Sequence, residues 1–302
     1  MSDNLTREDE MLEWGKHYVM VRPDHFRIDY VINPFMDRRD QPDPQRAHDQ
    51  FGALVAAIEE AGGRVEVIAQ RPDSPDMVYA MNLGLVTVDA QARSQVVLSH
   101  MRHPERRQEV VTTHPWFEDR GARSVWVGRD GVGAHFEAGD AFAWGDALVV
   151  GYGPRTEELG LKLLAVELGV RVRGVRIAHP GMYHLDLAFC PLDERRAMVC
   201  PSAFDEASAA ALLALVPEPL VLSEAEAMTF CANSIVIGRT VLMPACPDRV
   251  RERLEAWGFE IVLVEVSEFH KGGGSIRCLT NPVDITIGRD LPAVLVPEVV
   301  LP

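Results

Sequence analysis

A cysteine that follows three consecutive glycines, Cys278 in Gly272-Gly273-Gly274-Ser275-Ile276-Arg277-Cys278, is the strongest chemical signal in this sequence. Backbone freed from Cβ crowding can approach a ligand closely or hold an unusual turn beside a nucleophile. The other cysteines, Cys190, Cys200, Cys231 and Cys246, read as packing residues. No phosphate loop is implied, because no Gly-Lys-Ser/Thr follows and no helix pattern begins there. His184 and Asp186 are two apart, a spacing that turns both side chains to one side of an extended segment. Glu137 and Asp140 flank Gly139, and Asp76 follows Pro75. A thiol, an imidazole and several carboxylates suit a planar cation, since each carboxylate can accept paired hydrogen bonds from guanidinium N–H donors. His184, Asp186, Glu137, Asp140 and Cys278 could instead ligate a divalent ion. The sequence has no paired-histidine spacing, so no metal is expected. The absence of Gly-x-Ser-x-Gly disfavours a Ser-His-Asp hydrolase.

These residues fall on loops that follow five similar units, each a strand, a helix and a second strand. The first unit has strands at 17–21 and 64–69 around a helix at 51–60, with its loop at 75–82. The second has strands at 95–99 and 124–127 around 109–119, with its loop at 136–140. The third has 147–150 and 170–177 around 156–168, with its loop at 183–186. The fourth has 197–200 and 219–222 around 205–215, with a loop running from 224 to 233. The fifth has 240–243 and 260–266 around 248–257, with its loop at 272–278. Leu54, Val55 and Ile58 share one face of the first helix, and Asp205 and Asp248 are the expected N-caps of the fourth and fifth. A unit of this kind cannot bury its apolar face alone, so five should close about a pseudo-symmetric axis and bring their loops to one end.

No linker or change of composition divides the 302 residues. The expected organisation is an extension over 1–16 and one domain over 17–302. A formal charge of −15 argues against a nucleic-acid surface and suits a small cationic ligand. Apolar residues at 47% supply a substantial core. The five cysteines contain no Cys-x-x-Cys pair, which fits reduced thiols. Residues 1–10 lack the features of a secretory signal, and the longest apolar stretch, 207–216, is short of the roughly 20 residues a spanning helix needs. A soluble cytoplasmic protein without membrane partners is expected, and a homo-oligomer is compatible with this composition.

Over 17–283 the ordered motifs resemble the guanidine-modifying enzymes of the pentein superfamily, whose α+β fold is a five-bladed propeller of ββαβ units. The resemblance implies that Cys278 is the nucleophile and His184, in His-Leu-Asp, the general acid and base. It makes Glu137, in Glu-Ala-Gly-Asp, the carboxylate that orients His184, and Asp76 and Asp186 the pair that grips a guanidinium, with Asp140 among the substrate-binding acids. An acid at Asp186 favours an unmethylated guanidinium, because many methylarginine hydrolases lack one there. Within the superfamily the arginine dihydrolases are nearest, on Asp29-Tyr30-Val31-Ile32-Asn33-Pro34-Phe35-Met36, Asn82-Leu83-Gly84-Leu85-Val86, Tyr183-His184-Leu185-Asp186 and Cys278-Leu279-Thr280. That likeness implies that Asn33 and Asn82 assist a second hydrolysis and that Arg106 and Arg155 bind a substrate carboxylate. Met81 and Leu83 are larger than the residues usual around the second asparagine.

The implied activity is metal-independent and cofactor-free: arginine, or a close guanidino analogue, goes through a covalent thiouronium to ornithine, two ammonia and carbon dioxide. Arginine deiminase, dimethylarginine dimethylaminohydrolase and amidinotransferase are the alternatives within the superfamily. A non-catalytic propeller acting as an interaction protein is the alternative from another class.

Overall fold

A computed structural model describes residues 12–88 and 92–287. The polar opening, most of the extension over 1–16 and the end of the domain at 302 lie outside the described residues.

Among the described residues, five sheets repeat one pattern, in which a central strand pairs parallel with the strand after its helix and antiparallel with a third. His17–Val21 runs parallel to Arg64–Ile68 across the helix Pro44–Glu60. Ser94–Leu98 runs parallel to Arg123–Trp126 and antiparallel to Gly84–Val88. Ala147–Tyr152 lies between Arg171–Arg176 and the antiparallel Ala141–Trp144. The last two sheets centre on Arg196–Val199 and Thr240–Met243, whose antiparallel partners are Phe189–Pro191 and Ile235–Ile237. The first sheet takes its antiparallel strand from the far end of the chain, Asn281–Pro282, with Tyr18 opposite Pro282. This pairing ties the two ends of the described chain together, and Asp284 adds to it by accepting from the Gly15 and Lys16 N–H groups.

The units therefore follow the sequence pattern, with an antiparallel strand added to each. Ala141–Trp144, Phe189–Pro191 and Ile235–Ile237 are buried along their whole length. Strands buried on both faces lose the apolar–polar alternation that marks a half-exposed strand. The outer strand Arg171–Arg176 is mostly exposed.

The first helix begins earlier than its apolar face suggests. Asp43 caps it by accepting the Arg46 N–H at 2.8 Å, and Pro44, whose φ is pre-set for a first turn, follows. Leu54 and Ile58 are fully buried on its inner face, each burial worth about 1.5–3 kcal/mol. Asp205 caps the helix Glu206–Leu215 as expected. Asp248 does not cap its helix: Pro247 holds the cap position, and Asp248 is the first helical residue, where its charge faces the positive end of the helix. No helix among the described residues is long and apolar enough to cross a membrane.

Candidate active site

Short turns between the sheets converge on a cavity of about 260 Å³. Seven of the ten residues singled out in the sequence line it: Asn33, Asp76, Asn82, Arg106, Arg155, His184 and Cys278. Tyr79 and Tyr183 complete much of the wall. The triple glycine is a requirement of this packing. Gly273 has φ +90°, and a Cβ there would come within 2.6 Å of Asn33, while Gly272 and Gly274 lie flat against Tyr79. Cys278 then sits on a one-turn helix, Ile276–Leu279, where the sequence pattern had suggested none.

The thiol is 3% exposed. Its Sγ accepts from Asn233 Nδ2 at 3.2 Å and lies 3.5 Å from Asp186 Oδ2. Burial pushes its pKa well above the ordinary thiol value, and the Asp186 carboxylate pushes the same way. These surroundings therefore favour the thiol, and a cation beside the sulfur would favour the thiolate.

His184 Nε2 meets Glu137 Oε2 at 2.8 Å. Glu137 also receives Arg155 Nη1 at 3.3 Å and the Arg102 N–H at 2.9 Å. Burial works to raise the Glu137 carboxyl, but Arg155 and the His184 hydrogen bond outweigh it and hold the pKa well below the usual range. Glu137 is thus a fixed anion behind the imidazole. His184 and Asp186 do not share an extended segment. His184 is extended (φ −123°, ψ 157°) and caps a 3₁₀ turn, Leu185–Leu187, that contains Asp186. The turn, rather than strand alternation, brings Asp186 to the sulfur.

Three buried carboxylate oxygens, Asp76 Oδ1, Asp140 Oδ2 and Asp186 Oδ1, have no hydrogen-bond partner among the described residues; of these acids Asp76 lines the cavity and Asp186 lies against the Cys278 sulfur. Burial raises Asp76 to about 6, against the opposing charge of Arg106, and raises Asp186 to about 7, against Arg277. Orphaned acceptors of this kind are costly unless a donor arrives to fill them.

Arg106 and Arg155, which spacing alone would read as surface charges, are 4% and 3% exposed. Arg106 makes a paired contact to Glu109 at 2.8 and 2.9 Å, and Arg155 lies over the Tyr183 ring. Asn33 Nδ2 donates to the Gly272 carbonyl at 2.9 Å, and Asn82 Oδ1 accepts from Gly139 N–H at 2.9 Å. Glu137 and Asp186 stand just behind the lining. Asp140, expected on the substrate, is also outside the lining, where its Oδ1 accepts the Leu185 N–H at 2.9 Å and fixes the turn that carries His184 and Asp186. The described residues hold no group of three or more His, Cys, Asp or Glu placed to share a metal ion.

The sequence does not mark Asn233, because nothing in its own loop points to it and its partner lies 45 residues away. Its Oδ1 accepts the Cys278 N–H at 3.2 Å, while Nδ2 serves both the sulfur and the Asp186 carbonyl. A hydrogen bond to a charged group is worth about 1.5–3 kcal/mol. Asn233→Ala should therefore slow alkylation of Cys278 by a haloacetamidine roughly 10- to 100-fold at neutral pH and move its alkaline midpoint upward. An unchanged pH–rate profile would show that the amide does not support the thiolate.

The family described as N,N dimethylarginine dimethylhydrolase, eukaryotic, matches residues 19–285. The N(G),N(G)-dimethylarginine dimethylaminohydrolase of Mycobacterium tuberculosis is 34% identical over 265 residues, covering 88% of this chain and 85% of that protein. The bifunctional arginine dihydrolase/ornithine cyclodeaminase AgrE of Nostoc sp. is also 34% identical, over 87% of this chain but only 37% of its own length. The N-terminal domain of ArgZ, an arginine dihydrolase of the ornithine-ammonia cycle in cyanobacteria, solved with bound substrate, superimposes with a TM-score of 0.83. It is 31% identical and covers 90% of this chain and 99% of that one.

Proposed function

The chain belongs to the N,N-dimethylarginine dimethylhydrolase family of amidine-hydrolysing enzymes, close to the arginine dihydrolases, and on that premise we propose that it is itself an arginine dihydrolase. In this reading the described residues from 17 to 287 form one five-bladed pentein propeller. The observation that carries it is the pairing of a buried thiol with two unfilled carboxylate oxygens, Asp76 Oδ1 and Asp186 Oδ1.

A guanidinium supplies N–H donors for both oxygens, and its charge offsets the burial that keeps Cys278 protonated. The thiolate attacks the central carbon, and His184, held by Glu137, protonates the departing amine, so that ammonia leaves and a thiouronium remains. His184 then takes a proton from water, which attacks the same carbon and expels Cys278. The ureido species is retained, and a second water yields ornithine, a second ammonia and carbon dioxide, with the amides of Asn33 and Asn82 orienting that step. Arg106 and Arg155 hold the α-carboxylate. Asp186, 3.5 Å from the sulfur, can accept from N–H donors that methylation would remove, which supports arginine as the substrate.

Dimethylarginine dimethylaminohydrolase is the second reading, favoured by the family description and by the mycobacterial relative. Product analysis separates the two. Arginine should yield ornithine with two equivalents of ammonia, and Asn33→Asp should release citrulline in its place. Methylamines from methylated arginine, with arginine untouched, would overturn the dihydrolase reading in favour of the second.

A further inference from the structure

Arg277 has no role in the chemistry above, yet it is the residue immediately before the nucleophile and is 2% exposed. Among the described residues none of its Nε, Nη1 and Nη2 atoms has a hydrogen-bond partner. A guanidinium keeps its charge at any ordinary pH and presents five N–H donors. A native fold rarely buries such a group without an acceptor.

The side chain points away from the substrate cavity, into a second hollow of about 240 Å³ that shares no lining residue with the first. Trp14, Tyr18, Phe142, Cys190 and Ser234 form much of its wall. The guanidinium carbon lies 4.8 Å from the centre of the Phe142 ring and 5.9 Å from that of Trp14, so aromatic faces shield the cation without neutralising it. The carboxylate with the strongest pull on Arg277 is Asp186, but it makes no hydrogen bond to the guanidinium, and its Oδ2 is directed to the Cys278 sulfur. Tyr18, Cys190 and Cys278, the other ionisable groups around Arg277, are all buried.

We propose that this second cavity is a site for one small monovalent anion of halide size, held by Arg277. Among the residues that line it Arg277 is the single cation, so one negative charge is matched, whereas the second charge of a phosphate or sulfate would stay uncompensated against a mostly apolar wall. Water would supply an acceptor but no counter-charge, whereas a halide supplies both. Because Arg277 and Cys278 share one helical turn, the bound anion braces the nucleophile's turn from behind. The site does not depend on which guanidine is hydrolysed, and it can be tested without turnover.

At constant ionic strength, exchanging sodium gluconate for sodium chloride should raise the melting temperature saturably, by about 3 °C. Arg277→Met, of similar length and without charge, should lose that response. Equal melting in the two salts, or a chloride response kept by Arg277→Met, would overturn the site. If Arg277→Met does not fold, crystals of the unaltered protein grown in sodium bromide decide the matter. An anomalous peak in contact with the Arg277 guanidinium is expected, and its absence from that cavity sinks the proposal.

Discussion

Cys278→Ser is expected to reduce ammonia release from arginine by at least about 10⁴-fold while leaving the protein folded and able to bind arginine. The substitution is nearly isosteric, and the Cys278 N–H bond to Asn233 Oδ1 does not involve the sulfur. What changes is the proposed nucleophile. A thiol is a few per cent ionised near neutral pH when exposed and can be driven further by a cation, whereas a hydroxyl is far less acidic. Burial already pushes the Cys278 thiol well up, so the site has no reserve with which to ionise a serine. Asp76 and Asp186 remain in place, so arginine affinity measured by calorimetry should stay within about an order of magnitude of the unaltered protein. Turnover above roughly one per cent would remove Cys278 from the nucleophile's role.

The parts of this site that the sequence revealed are those whose chemistry is local. Cys278 is marked by the glycines that precede it, and His184 and Asp186 by their own motif. Each of these signals lies within a few residues of the group it marks, and the structure brings all three together. Glu137 is legible for the same reason, although its tie to Arg155 across 18 residues is not. Asn233 and Arg277 went unread because their surroundings are made by chain closure. One meets Cys278 across 45 residues, and the other faces rings contributed by Trp14 and Phe142. Asp140 differs in another way: an acid in an acidic loop looks like a ligand for a cation, and the structure sets it outside the cavity lining with Oδ1 on the Leu185 backbone, a second task that the sequence does not display. The fold divides along the same line. Central strands and helices carry apolar periodicity, while three-residue strands such as Ile235–Ile237 are too short and too uniformly buried to show any.

His184→Gln separates the two halves of the reaction. Glutamine can still donate to Glu137, so the wall of the cavity should persist, but it cannot exchange a proton. General acid–base groups contribute about 10²–10⁴-fold to a step, and in the proposed mechanism His184 serves both the departure of ammonia and the attack of water. With arginine, kcat/KM should therefore fall by at least about 10³-fold. An S-alkyl isothiourea analogue of arginine relieves the first demand, because its thiolate leaves without help from an acid. The variant should accept one equivalent of that analogue and release one equivalent of thiol. It should then stall, since no base remains to activate water against the thiouronium. Intact-mass measurement should show the covalent adduct, mapped to the peptide that contains Cys278, persisting while the unaltered enzyme turns over. Steady turnover of the analogue by His184→Gln would mean that another group activates the water. Of the groups near the sulfur, Asp186, raised to about 7 by burial against the pull of Arg277, is the one able to accept a proton there.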